Sequence, residues 1–137
     1  MSLVGLTDIV AQSAAFQALV TDLAHTATGV SPEGGARLVL ALPRAGRLYA
    51  AAALFRTLKR PMIYVTASVD ASRMAADALS HLTGVDAPRF AEPNTAFYDT
   101  VAPVRDVIAQ RSAVLAAVTE MAAAPGIVVT SPRALMH

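Results

Sequence analysis

A chain of 137 residues has room for one domain with a real core, and 55% hydrophobic against 15% charged residues excludes a disordered chain. A formal net charge of +1 makes no electrostatic case for nucleic acid, and the arginines, set against the single lysine Lys59, read as scattered, solvated surface. No cysteine is present, which removes disulfides and thiolate metal sites.

The start of the chain carries no basic stretch followed by an apolar run, so no signal peptide is read there. Apolar runs such as Tyr49–Phe55 fall far short of the roughly 20 residues that cross a bilayer. The expectation is a cytoplasmic protein without a membrane partner.

From Thr7 to about Ala27, Ile9, Phe16, Val20 and Leu23 recur at helical spacing, which predicts one helix with Thr7 as N-cap, packed on a sheet built by later residues. Gly29 and the run Ser31-Pro32-Glu33-Gly34-Gly35 end it in a loop. Arg37–Leu42 then reads as a first strand, Pro43–Gly46 as a tight loop, and Arg47–Leu58 as a helix with Leu48, Ala51, Ala52 and Phe55 on one face. Lys59-Arg60 suit the negative end of that helix, and Pro61 forbids its continuation.

Met62–Thr66 is apolar enough for a buried parallel strand. Ser68 or Asp70 caps a further helix with the stripe Met74, Ala75, Ala78, Leu79 and Leu82, which Gly84 ends. Pro88-Arg89-Phe90 is a short candidate strand, and Ala91–Pro103 is irregular. Val104 to about Ala123 reads as a helix with Val104, Val107, Ile108, Leu115 and Val118 inward. Pro125-Gly126 breaks it, and Ile127–Thr130 is a buried strand. Ser131-Pro132 then opens a helix in the N-cap and first-turn positions, and the sequence stops at His137 one turn later. The alternation of strands and helices predicts a single α/β domain over residues 1–137, a mostly parallel sheet flanked by helices. The stop inside a helix predicts a fragment of a larger multidomain protein.

Strand, loop and helix around Pro43–Arg47 form the arrangement in which phosphate-binding loops sit. Set against G-x-x-x-x-G-K-[ST], the chain has Ala41 for the first glycine, keeps Gly46, and has Arg47 for the lysine and Leu48 for the metal-binding hydroxyl. Pro43 also withholds an N–H from the loop. The residues that hold phosphates and Mg²⁺ are therefore missing, and no cofactor is expected at this vestigial loop of Pro43, Arg44, Gly46 and Arg47. The alternative is a nucleotide or anion held by Arg44 and Arg47 at the helix N-terminus.

No catalytic residue is expected. Asp70 and Glu92 each stand alone near strand ends, and Ser13, Ser68, Ser72 and Ser112 lack a nucleophile-elbow context. His25, His81 and His137 have no ligand spacing, so no metal site is expected. One glycine does not make a dinucleotide fingerprint. Phe97, Tyr98 and Asp99 form a candidate interaction surface, or cover a sheet edge, and Arg105 and Arg111 are candidates to pair with Asp99 or Asp106.

Taken in order, these segments resemble a known family. They are Leu42-Pro43-Arg44-Ala45-Gly46-Arg47, the strand Pro61–Thr66, Phe90-Ala91-Glu92-Pro93-Asn94-Thr95-Ala96-Phe97-Tyr98-Asp99, Ala102-Pro103, Gln110-Arg111 with Leu115, and Ile127–Thr130 followed by Pro132-Arg133-Ala134-Leu135-Met136. Over roughly Ala36 to His137 the chain is similar to the N-terminal region of the bacterial transcription-repair coupling factors. It departs from the family at Asp99, where a glutamate is usual, and at Ala102, where a serine is usual. That region resembles the first domain of UvrB, which keeps the nucleotide loop that the coupling factors have lost.

The resemblance implies a P-loop-NTPase-like, UvrB-like fold and a non-catalytic scaffold. The whole protein would be an ATP-dependent DNA translocase that displaces stalled RNA polymerase and recruits UvrA for nucleotide excision repair. ATP, Mg²⁺ and DNA would belong to its motor modules. UvrA would be bound mainly by a domain inserted after the Arg133-Ala134-Leu135-Met136 helix, and the present region would pack on other modules of the same protein.

Overall fold

Helix formation dominates the chain, and two short strands supply the plane on which the helices sort. The structure is a computed structural model and describes residues 4–26, 39–92, 105–121 and 123–136. In order, the elements are α1 (Val4–Ala11), α2 (Ala14–Thr26), α3 (Gly46–Leu58), β1 (Met62–Val65), α4 (Val69–Thr83), α5 (Arg105–Glu120), β2 (Ile127–Thr130) and α6 (Pro132–Leu135). The architecture is mixed helix around a small parallel sheet, roughly α/β. None of these helices is long and apolar enough to cross a membrane.

β1 and β2 pair in parallel with Met62 opposite Ile127 and Val65 opposite Thr130. The ladder continues at both ends, from Met62 N–H to the Gly126 carbonyl at 3.0 Å and from Thr66 N–H to the Thr130 carbonyl at 2.9 Å. On its other side β2 meets residues 88–90 through one parallel bridge, Arg89 to Val129. There Phe90 donates to the Val129 carbonyl at 2.8 Å and Val129 donates to the Pro88 carbonyl at 3.0 Å. The short strand expected at Pro88-Arg89-Phe90 is thus a single bridge. β2, although later in sequence, lies between its two neighbours.

That placement explains the burial. All four residues of β2 are buried, whereas β1 alternates between half-buried and exposed positions. Met62 and Tyr64 face α3 and α4 with Ile127 and Val129, in a core that also holds Ala52, Phe55, Ala75, Leu79 and Leu82. Each large side chain fully buried there contributes roughly 1.5–3 kcal/mol. On the opposite face Val128 packs with Val114 and Met121, and Phe90 closes that smaller cluster. Ile63 and Val65 share this second face but stand 61% and 50% exposed. The fully buried strand expected at Met62–Thr66 is therefore half open, because among the described residues α5 covers only the β2 side.

Further expectations are corrected. Residues 39–42 join no ladder, and Val39 is 82% exposed, so the described part of the first expected strand is not a strand. Arg37 and Leu38 lie outside the described residues. The first helix is two helices, since the Ser13 hydroxyl accepts from Phe16 N–H at 3.3 Å and restarts the helix. Thr7 is no N-cap; it is buried inside α1, where its hydroxyl accepts a hydrogen bond from Arg56 of α3. Arg56 also pairs with Asp8 at 2.9 Å, fixing α1 on α3. α1 packs chiefly on α3 and α4 rather than on the sheet.

α3 places Ala51, Ala52 and Phe55 inward with Leu48 beside them, as its spacing predicts, and ends on Lys59 in the left-handed region. In α4, Ser68 is the cap, accepting from Ala71 N–H at 3.2 Å, and Gly84 at φ 73° closes the helix. Its inward stripe is Ser72, Ala75, Ala76, Leu79 and Leu82, while Met74 points to solvent. α5 turns a different face inward from the one its apolar residues predict. Val114 is buried and Val107 and Arg111 half-buried, whereas Ile108 and Leu115 are exposed. Val104 lies outside the described residues.

Candidate anion-binding clefts at the strand ends

Parallel strands that end on one side of a sheet leave their carboxyl ends facing a crevice, the usual ligand position in open α/β proteins. Two clefts open along that edge here, one beside β1 and one beside β2.

The first holds the loop singled out by the sequence. Arg44, Arg47 and Leu48 line a cleft of about 530 Å³ with Tyr64, Val65 and Thr66 from the end of β1 and Met74 from α4. No carboxylate is among the described residues lining it. The loop is a closed turn: Gly46 N–H donates to the Pro43 carbonyl at 2.9 Å, and Arg47 N–H points to the Arg44 carbonyl at 3.5 Å. Ala45, the residue before α3, is already in the right-handed helical region and supplies no side-chain cap. A phosphate cradle needs several free N–H groups converging on one point. Here the N–H groups of Gly46 and Arg47 turn back on their own loop, and Pro43 has none to offer. Gly46 has no positive φ, and a Cβ built on it meets nothing nearer than Pro43 Cδ at 3.9 Å. The loop does not depend on glycine.

The second cleft was not legible from motifs. It encloses about 380 Å³ between Val69 and Arg73 of α4, Arg89 at the bridge and Glu92 after it, Gln110 of α5, and Arg133 of α6. Its organising group is Glu92. One carboxylate oxygen accepts from the Ser131 hydroxyl, and the other lies 3.9 Å from Arg133 Nε. Ser131 in turn accepts from Ala134 N–H at 3.3 Å as the cap of α6, in the role its sequence context predicts. The Glu92 side chain is only 15% exposed while that of Arg133 is 66% exposed, so the acid is the buried partner and the arginine stands at the rim.

Arg111 underpins this cleft from behind. It donates to the Ala91 carbonyl at 2.7 Å and the Ala134 carbonyl at 3.3 Å, and its guanidinium lies 4.0 Å from the Phe90 ring centre. One side chain thus ties α5 to the segment after the bridge and to α6. No ion pair joins it to Asp106 among the described residues, and Asp99 lies outside them. The expectation of scattered, solvated arginines fails here too, since Arg56 and Arg111 bridge elements and Arg73, Arg89 and Arg133 converge. Residues just past the carboxyl ends of expected strands were the available signal, and Arg133 and Glu92 stand there.

The remaining candidates separate. Ser13 and Ser72 donate to backbone carbonyls of Val10 and Val69 at 2.9 and 2.6 Å, and Ser68 is a cap. His81 lies on the exposed side of α4 with Nδ1 2.7 Å from the Asp77 carbonyl oxygen. No group of three metal-ligating side chains occurs among the described residues. Phe97, Tyr98, Asp99 and His137 lie outside the described residues. No protein-family model, curated protein or solved structure matches the chain.

Proposed function

We propose that this chain is a non-catalytic scaffold and interaction module, the N-terminal UvrB-like domain of a bacterial transcription-repair coupling factor. In this role it presents the UvrA-recruiting part of a longer cytoplasmic protein and packs on its other modules. ATP hydrolysis, Mg²⁺, DNA and RNA polymerase contacts are assigned to motor modules elsewhere in that protein.

One observation supports the non-catalytic part above the others. The loop at the nucleotide position turns the N–H groups of Gly46 and Arg47 back on itself, with Pro43 contributing none. The cleft beside it also has no acid among its described residues to hold a metal or position a water. The repair role rests on the ordered resemblance of the segments from Leu42 to Met136.

The alternative is a domain that binds a nucleotide through Arg44 and Arg47, favoured by the open cleft those arginines share with Tyr64. Calorimetric titration of the chain with ATP and Mg²⁺, beside Arg47→Ala, separates the two. The scaffold reading expects no heat that depends on Arg47. Heat that Arg47→Ala abolishes overturns it in favour of nucleotide binding. In parallel, the full-length protein is expected to retain UvrA in a pull-down, and failure of the folded protein to do so removes the repair assignment.

A further inference from the structure

The second cleft carries more positive charge than its own residues satisfy. Among the described residues three arginines, Arg73, Arg89 and Arg133, line it, against the carboxylate of Glu92. That carboxylate is already engaged by Ser131 and Arg133. The side chains of Arg73 and Arg89 have neither a hydrogen bond nor an ion pair among the described residues. Cations gathered in one concave space repel one another and focus a positive field into it. Guanidinium forks match the paired oxygens of phosphoryl and carboxylate groups. The volume, about 380 Å³, falls at the small end of ligand-sized cavities.

The members come from separate parts of the chain. Arg73 stands one turn into α4, after β1; Arg89 is the bridge residue; Arg133 follows β2. Gln110 adds a neutral amide from α5. Arg111 and the Glu92–Ser131 bond tie α5, the segment after the bridge and α6 together around the cleft.

We infer that the Arg73–Arg89–Arg133 cleft binds a small oxyanion carrying two or more negative charges, at a site separate from the Pro43–Arg47 loop. Arg73 and Arg89 supply the unpaired forks. Glu92 holds Arg133 at the rim, and Gln110 donates to an oxygen that the arginines leave open. The inference is independent of the proposed repair role.

Titration calorimetry at low ionic strength with pyrophosphate, then with citrate, tests it on the chain as it stands. Pyrophosphate is expected to bind, and Arg73→Gln and Arg89→Gln each to weaken it by about tenfold or more, as loss of a charged hydrogen-bond donor implies. Arg89→Lys, which keeps the charge and loses the fork, is expected to fall between. Arg47→Gln is expected to bind as the parent does. Citrate binding equal to that of pyrophosphate supports the shared oxyanion chemistry with a polycarboxylate source, and pyrophosphate binding alone supports a phosphoryl source. No binding of either anion by the folded chain overturns the inference, as does binding lost with Arg47→Gln and kept with Arg73→Gln. If Arg89→Gln does not fold, the exposed Arg73 decides the outcome.

Discussion

The two clefts at the carboxyl edge of the sheet look alike in outline, each with arginines beside the start of a helix, and differ in what their polar groups are already doing. Beside β1 the backbone is self-satisfied: Gly46 N–H goes to Pro43. The wall there is largely apolar, with Leu48, Val65 and Met74. Beside β2 the backbone carbonyls of Ala91 and Ala134 are held by Arg111, and a carboxylate is anchored by a serine. A loop between a strand end and a helix start is not by itself a site. What matters is whether side-chain bonds frame the space, and on that measure the second cleft is the better built.

The comparison breaks first at Arg111. Arg111→Ala removes two charge-assisted bonds and the stacking on Phe90, and is expected to destabilise the chain by about 2–3 kcal/mol in denaturant unfolding. A loss below about 0.5 kcal/mol, the range of ordinary surface substitutions, would show that the β2 cleft has no fixed frame. Ser131→Ala removes the cap of α6 and the partner of Glu92 together, with an expected loss of about 1–2 kcal/mol. Thermal melts should place this variant between Arg111→Ala and the parent. Gly46→Ala is the smallest effect and has the opposite sign. With a compatible φ and open space at its Cβ, the alanine is expected to stabilise by about 0.5 kcal/mol. A destabilised Gly46→Ala would mean that the β1 loop does need its glycine, and would bring the two clefts closer together.

The sequence was most legible where local chemistry and tertiary placement agree. Ser68 and Gly84 bound α4, Ser131-Pro132 opens α6, and the unbroken apolar run of β2 fits a strand covered on both faces. It was least legible where a polar residue takes an inward position. The apolar residues of α5 point the eye to Ile108 and Leu115, but its inward face passes through Arg111, whose fork reaches carbonyls that no helical period can foresee. Residues 39–42 look like a strand because they are apolar, and an apolar run forms a strand only when a neighbour offers a ladder. Ser13 is hidden as a restart signal because Ile9, Phe16 and Val20 keep their spacing across the break. The cleft of Arg73, Arg89 and Arg133 leaves no motif, since its members converge only through the order of the strands.

That strand order has a consequence for how the molecule is made. A ribosome releases β1 long before β2, and the bond from the Thr66 hydroxyl to the Thr130 carbonyl closes across 64 residues. Until residues 127–130 emerge, β1 has no partner on that side, and its ladder groups remain open beside the exposed Ile63 and Val65. An open apolar edge of this kind is a template for pairing with other nascent chains. The interval of synthesis between the release of β1 and that of β2 is thus open to aggregation, and any pause in translation before Ile127 lengthens it.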